Sequence, residues 1–482
     1  MKPNKHLDQL FNPRSVALVG ASSVFGKWGY NILSRLISSK NNREVYAIND
    51  RESEILGLRT FGSVRDVPGP VDVAIVTVPS PDLSAVMRDC VQKGVKTAVV
   101  ITSGLAECGG DGSRLEGELI GIAERGGVRF VGPNCLGVFD AHSGFSTLGF
   151  QPPVRKGNVA LVSQSGNSGQ SVLNYGYQMG LGFSKFISSG NEADLHFEDY
   201  IEYLAQDRRT GLILGYVEGL REGRRFLELA KDITRRKPIV IMKAGRTDVG
   251  SRAARSHSAA LSGADTVLDA ALKQCGVIRA ETIEELVEVG VALLGQPLPR
   301  GNRVAVLSMG GGMAVTASDA LRNEGLELPP LSPATMEKLD SILSNRWSRG
   351  NPVDPAGDFV SYHCLWPLIE DESTDAVLVV GGVGMSAGFP GWAPARMKRF
   401  VDSMRKTLED AEIESLEKTL HMMDACRKPV IFTVGVTGAA TNGRVAKRLA
   451  KARRNLYASP EAGARVLSRL VSYSGYLGSD EV

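Results

Sequence analysis

The chain has 482 residues, 43% hydrophobic and 23% charged, with a net charge of +3. That length exceeds a single hydrophobic core and predicts domains of roughly 150 residues each, three in all. The small excess of base, without a Lys/Arg run or an aromatic ladder, argues against nucleic-acid binding. No stretch approaches the ~18 uninterrupted apolar residues of a membrane span. The N-terminal MKPNKHLDQLFNPRSVALVG lacks a long apolar signal region. The six cysteines are scattered with no CxxC pair, which fits a reducing compartment rather than a disulfide framework or a zinc site. The expectation is a cytoplasmic protein with no membrane segment and no metal site of its own.

In chain order, VALVGASSVFG (16–26) is a short, continuously apolar run, then a Gly/Ser turn, then the helix-compatible YNILSRLIS. Such a run suits a strand buried on both faces of a parallel sheet. VDVAIVTVP (71–79), TAVVITSG (97–104) and VRFVGPN (128–134) are further strand candidates. The same design restarts at VALVSQSGNSG (159–169), followed by QSVLNYGYQM, GLILGYVEG (211–219) and KPIVIMKAG (237–245). It restarts again at VAVLSMGGGMA (304–314), followed by AVTASDALRNEG, DAVLVVGGVG (375–384) and KPVIFTVG (428–435). The three starts lie about 145 residues apart, matching the domain size expected from length. HSGFSTLGFQPPVRKG (142–157) and GQPLPRGN (295–302), rich in Gly and Pro, read as linkers. Strands alternating with helices imply three doubly wound α/β domains in series, over 1–145, 155–295 and 301–475.

Open parallel sheets bind ligands beyond the carboxyl ends of their strands, where these turns sit and the next helix presents N–H groups. The first turn, GASSVFGKWG, is not a Walker A loop, since no Ser or Thr follows Lys27. Nor is it GxGxxG, because Ser22 stands where the second Gly belongs. Asp50, ending VYAIND, resembles a ribose-binding acid, which keeps an NAD-dependent oxidoreductase as an alternative. The second turn sets Ser165, Gly166 and Asn167 at a helix start suited to a phosphoryl group. Glu218, ending LILGYVEG, and the loop after KPIVIMKAG that leads to His257 belong to the same sheet edge. A carboxylate beside an imidazole fixes its tautomer and raises its basicity, so that the ring can attack phosphorus. His257 stands in RSHSAALSG (255–263) among small neighbours that leave it approachable.

The order of motifs resembles the NDP-forming acyl-CoA synthetases, the superfamily of ADP-forming acetate–CoA ligase and succinyl-CoA synthetase, and specifically their α subunits. The resemblance is carried by VGPNCLGVFD (131–140), LVSQSGNSG (161–169), SSGNEADLHFEDYIEYLAQD (188–207), YVEGLREGRRFLELA (216–230), RRKPIVIMKAGRT (235–247), SHSAALSGADTVLDAALKQCGVI (256–278) and NPVDPAGD (351–358). It implies a Rossmann-like CoA-binding domain, a flavodoxin-like domain carrying a phosphohistidine loop, and a second flavodoxin-like ligase/CoA domain. His257 is similar to the histidine that carries phosphate between an acyl phosphate and a nucleotide, and Glu218 to the glutamate that holds it. Ser165, Gly166 and Asn167 match the helix start that receives the phosphate. Gly20, Ala21, Ser22 and Lys27 would lie near the CoA nucleotide. Pro79, Ser80, Thr102, Ser103 and Gly104 would lie further along CoA, with Asn134 and Cys135 near its thiol. Cys135 is not an acyl carrier in this family, and a small buried thiol accounts for it.

The chain departs from the family pattern in three places. SHSAALSG replaces the usual SHTGALAG, putting Ser258 and Ala259 beside the histidine, and Asn49–Asp50–Arg51 replaces Asn-Pro-Lys. SMGGGM (308–313) replaces Asn-Ala-Gly-Gly-Pro-Gly. The family's chemistry also needs an ATP-grasp module for ATP/ADP and magnesium, for which no residues remain. The resemblance therefore implies a separate ATP-grasp β subunit, a hetero-oligomer such as α2β2, and a small carboxylic acid as substrate. A non-catalytic CoA-binding or acyl-sensing protein is the alternative; it would have no need for His257 with Glu218.

Overall fold

The computed structural model describes residues 5–39, 42–150, 152–247, 249–250, 265–356, 361–383, 394, 396–435 and 443–479. Among the described residues three sheets are present, one at each of the three sequence restarts. The chain divides into two compact units, 1–177 with 181–286, and 178–180 with 287–482.

The first unit holds two sheets. In spatial order the first runs Glu54–Ile55, Leu58–Phe61, Glu44–Ile48, Ser15–Val19, Val73–Val76, Thr97–Val100, Arg129–Val131. Its neighbours pair parallel except for the Glu54–Ile55/Leu58–Phe61 hairpin. The strands at its centre are buried along their whole length, as their unbroken apolar runs require. The second runs Ile278–Ala280, Ile239–Lys243, Leu212–Val217, Arg155–Ser163, Gly182–Ser188, Gly137–Asp140, Phe145–Ser146. Its first five strands are parallel, and the last two are added antiparallel. One apolar cluster runs from Val16, Val73 and Val99 of the first sheet to Val162, Ile213 and Ile241 of the second.

The Gly- and Pro-rich stretch read as a linker behaves differently from that expectation. Val138, Phe139, Phe145 and Leu148 are buried, so the segment around it is held by apolar burial as an extension of the second sheet. The second unit carries a four-stranded parallel sheet, Val304–Ser308, Ala376–Val380, Val430–Thr433 and Leu456–Tyr457. It also carries a 27-residue helix, Lys398–Asp424. That helix is charged around most of its circumference, and of its residues Leu416, Thr419, Leu420 and Met423 are buried. Such a pattern has no broad apolar stripe by which to recognise it.

One buried ionic cluster braces the first unit. Lys185 Nζ lies 2.9 Å from Asp140 Oδ2 and 2.7 Å from Asp207 Oδ2. The lysine side chain is 3% exposed and rests over the Phe11 and Tyr203 rings. Burial works against the Asp207 charge, but the Lys185 and Thr210 hydrogen bonds outweigh it and hold its pKa below the usual carboxylate range. Removing the ammonium would strand one buried and one largely buried carboxylate. Lys185→Met is therefore expected to cost about 3–5 kcal/mol, read as a lower melting temperature of the purified chain. A variant as stable as the parent would contradict this account of the cluster.

Candidate active site

Each sheet of the first unit has a point where consecutive strands depart to opposite sides, opening a crevice at the carboxyl edge. In the first sheet it lies between Ser15–Val19 and Val73–Val76. Thr77 Oγ1 laces the crevice floor, donating to the carbonyls of Val19 (3.1 Å) and Gly20 (3.2 Å). The helix Trp28–Ser38 starts hard against this turn: a Cβ on Gly29 would lie 2.0 Å from Gly20 O. Only glycine allows that approach. Lys27, at the helix N-cap, is exposed and in extended conformation, and its side chain makes no capping hydrogen bond. The first-turn N–H groups thus keep their anion-binding character.

The sequence-predicted CoA residues lie along this edge. Gly20 and Ala21 donate their N–H groups to Ile48 O, each at 3.2 Å, so these two are turned inward. Ser22 is half-buried, and its Oγ accepts from Val24 N at 3.1 Å. Pro79 and Ser80 follow Val73–Val76, and Ser80 lies beside Gly104 on the same side of the crevice. Thr102, Ser103 and Gly104 follow Thr97–Val100; Thr102 Oγ1 donates to Val78 O at 2.6 Å, and Ser103 is exposed. Asn134 follows Arg129–Val131, its N–H bonded to Thr102 O at 2.8 Å. Cys135 is buried against Val100 O (3.3 Å), and burial pushes its thiol pKa up to about 12. A thiol so protonated is no nucleophile at neutral pH. Asp50 points to solvent beside Arg51, while Asn49 orders the turn by donating to Ala21 O (2.8 Å) and accepting from Arg51 N (2.7 Å).

In the second sheet the switch point lies between Arg155–Ser163 and Leu212–Val217. Ser165, Gly166 and Asn167 open the helix Gly166–Gln178, and Ser165 Oγ accepts from Ser168 N at 3.3 Å. That cap leaves the Gly166 and Asn167 N–H groups without an intrahelical acceptor. Glu218 stands directly across the crevice, half-buried, at the end of the neighbouring strand. His257, Ser258 and Ala259 lie outside the described residues. The described chain leaves this edge at Lys243, in register with Val217, and the helix Asp265–Gln274 returns beyond them.

Four residues with no role in the sequence reading belong to this neighbourhood. Gln164 joins the two sides of the crevice. Its Nε2 donates to Gly219 O (2.7 Å) and Glu192 Oε2 (2.8 Å), and its Oε1 accepts from the N–H groups of Glu218 and Gly219. Asn191 donates to Glu107 Oε2 (2.7 Å) and Glu116 Oε2 (2.9 Å) and accepts from Asn134 (3.2 Å), which ties it to the first-sheet edge. Glu192 is buried and also accepts from Ser189 Oγ at 2.7 Å. Burial, reinforced by the Glu198 charge and opposed by these hydrogen bonds, pushes its pKa up to about 8. Lys243 is buried; desolvation pulls its pKa down against the opposing pull of Asp265 and Glu218. Gln164 stands inside SQSGNSG and the Asn191–Glu192 pair inside SSGNEAD, yet spacing alone does not say which polar side chain turns inward.

Among the described residues, no three His, Cys, Asp or Glu are placed to hold a metal ion, and no helix is long and apolar enough to cross a membrane. Residues 14–141 match the CoA binding domain family, and residues 156–293 the succinyl-CoA ligase like flavodoxin domain. The chain is 40% identical to the acetate–CoA ligase [ADP-forming] II subunit alpha of Pyrococcus furiosus, over 79% of this chain and 84% of that one. It is 40% identical to acetate–CoA ligase [ADP-forming] I of Archaeoglobus fulgidus over 78% of its length, and spans 54% of that protein. Among solved structures it resembles the apo form of a dinucleotide-forming acetyl-coenzyme A synthetase 1 from Ca. Korarchaeum cryptofilum. The TM-score is 0.83 and the identity 32%, covering 99% of this chain and 100% of that chain.

The raised pKa of Glu192 has a sign that can be tested. The folded carboxyl binds its proton more tightly than the unfolded one, so its contribution favours folding at low pH and is lost as pH rises through about 8. Glu192→Gln removes that loss. Its melting temperature relative to the parent should climb between pH 5 and pH 8 and then level off; a pH-independent difference would contradict the assignment.

Proposed function

The chain belongs to the ADP-forming acyl-CoA synthetases as an α subunit, an acid–thiol ligase, and on that premise we propose how it divides the work with a partner. The partner is a separate ATP-grasp β subunit that binds ATP or ADP with magnesium, in a hetero-oligomer such as α2β2. The Pyrococcus furiosus relative is named as a subunit, which supports a partner chain here. ATP and CoA as co-substrates fit a cytoplasmic setting.

In the direction of acyl-CoA formation, a ring nitrogen of His257 attacks the terminal phosphorus of ATP, forming a P–N bond as ADP leaves. The carboxylate of Glu218 accepts a hydrogen bond from the other ring nitrogen and stabilises the charge the ring acquires. The phosphoryl group then passes to an oxygen of the substrate carboxylate, breaking the P–N bond and making an acyl phosphate. The CoA sulfur attacks the acyl carbon, inorganic phosphate leaves, and the thiol proton is released. Gly166 and Asn167 N–H groups with the Ser165 hydroxyl receive the phosphoryl charge at a preorganised helix start. Gly20, Ala21, Ser22 and Lys27 form the turn against which the CoA nucleotide lies, with Ser22 and Lys27 contributing side chains. Pro79, Ser80, Thr102, Ser103 and Gly104 line the path of its arm, and Asn134 and Cys135 the thiol end. Cys135 serves there as a packing group.

What carries this reading is the juxtaposition of Glu218 with the Ser165–Asn167 helix start across a single switch point. The purified chain alone should show a CoA-dependent rise in melting temperature and form no acyl-CoA. With the β subunit, ATP, magnesium and acetate it should form acetyl-CoA. Glu218→Gln should lower that turnover at least ~100-fold while keeping the CoA-dependent rise. Parental turnover in the variant, or NAD rather than CoA raising the melting temperature, would contradict the proposal.

A further inference from the structure

The Gln164 carboxamide spends its whole hydrogen-bonding capacity at one place. Both N–H donors and the carbonyl are used, on Glu192, on Gly219 O, and on the N–H groups of Glu218 and Gly219. Gln164 itself stands between Ser163 and Ser165, and its own N–H donates to Tyr216 O at 3.1 Å. It therefore spans the crevice from the phosphate turn to the strand end that carries Glu218.

Glu192 holds this amide in place from behind. One of its oxygens accepts from Gln164 and the other from Ser189 Oγ, while Ser189 N donates to Ser163 O at 2.8 Å. The ring of contacts returns to the residue from which it started. Glu192 adopts φ +52°, the left-handed region that a side chain such as glutamate seldom occupies. A Cβ on Gly190, two residues before it, would lie 2.2 Å from Pro133 O, so the segment is packed closely against residues 133–134. Glu192 accepts hydrogen bonds from the Ser189 hydroxyl, the Gln164 amide and the Phe197 backbone N–H, and among the described residues no ion pair reaches it. A buried carboxyl in a strained conformation is a costly way to fill space.

We propose that Gln164 and Glu192 are positioning residues that fix the backbone of Glu218 against the Ser165–Asn167 turn, so that the histidine partner and the phosphate receiver keep one separation. The inference rests on the phosphoryl-transfer reading above. The two act through the Glu218 backbone, which Gln164 reaches directly and Glu192 reaches through Gln164. A displacement of about 1 Å at a reacting group can cost on the order of 100-fold in rate, which sets the scale expected.

The test uses the reconstituted complex with ATP and magnesium, measuring the single-turnover rate of phosphate transfer to this chain together with the melting-temperature rise caused by CoA. Gln164→Met and Glu192→Leu remove the clamp with little change in volume. Each should slow transfer at least ~10-fold with the CoA effect retained, since the CoA residues sit at the other switch point. Glu192→Gln can still accept from Gln164 Nε2 and donate to Ser189 Oγ, and should stay within about three-fold of the parent. A merely structural Glu192 would give no such split between rate, CoA effect and rescue. If either clamp-removing variant fails to fold, shown by loss of the CoA effect, Gln164→Asn decides. Its amide, one methylene short, should slow transfer with the CoA effect intact. Parental rates in the folded variants, or a Glu192→Gln as slow as Glu192→Leu, would overturn the inference. A parent chain that takes no phosphate would bring down the underlying reading and this inference with it. A labelled parent with an equally fast Gln164→Met would bring down this inference alone.

Discussion

Parallel pairing of Arg155–Ser163 with both Gly182–Ser188 and Leu212–Val217 is the constraint on which the proposed chemistry depends. Parallel strands place all their carboxyl ends at one edge, and connections that depart to opposite sides leave a crevice there. The turn after the first of these strands supplies helix-start N–H groups. The turn after the third supplies a carboxylate. No long-range folding accident is needed to bring Ser165 and Glu218 together: register alone sets Ser163 opposite Tyr216. Gln164 then joins the two turns by side-chain hydrogen bonds.

The first sheet repeats this logic with different chemistry at its switch point. Its turns hold Gly20, Ser22 and Lys27 on one side and Pro79 and Ser80 on the other, with no carboxylate–imidazole pair called for. The segment Ser189–Asp194 links the two edges. Asn191 bonds to Asn134, Glu107 and Glu116 of the first, and Glu192 bonds to Gln164 of the second. A thiol bound at one edge and a phosphoryl group held at the other would thus be referred to a common piece of backbone, within one compact unit and over one continuous apolar cluster.

Much of this was legible in the sequence because continuous apolar runs such as VALV and VAIV can be satisfied only by strands covered on both faces. Each run predicted as a first strand is one, at Ser15–Val19, Arg155–Ser163 and Val304–Ser308. The turns after them were found for the same reason, since Gly and Ser mark where a chain must reverse closely. What escaped was the inward-facing polar set. Asn191, Glu192 and Lys243 look like any other polar residues until tertiary structure buries them, as Gln164 does until it is bonded across the crevice, and neither is a local property of sequence. The stretch 142–157 reads as a linker because Gly and Pro outweigh Phe145 and Leu148, both of which are buried. The helix Lys398–Asp424 carries apolar residues at helical spacing, such as Leu416, Leu420 and Met423, within a largely charged sequence.

The central claim is that phosphate passes through this chain on one histidine among six. The most direct measurement is to incubate the reconstituted complex with γ-labelled ATP and magnesium, digest under alkaline conditions that preserve phosphohistidine, and locate the label by mass spectrometry. The account predicts phosphate on the peptide containing His257, absent after His257→Ala and retained after substitution of the exposed His363. Label on any other residue, or undiminished label in His257→Ala, would contradict it.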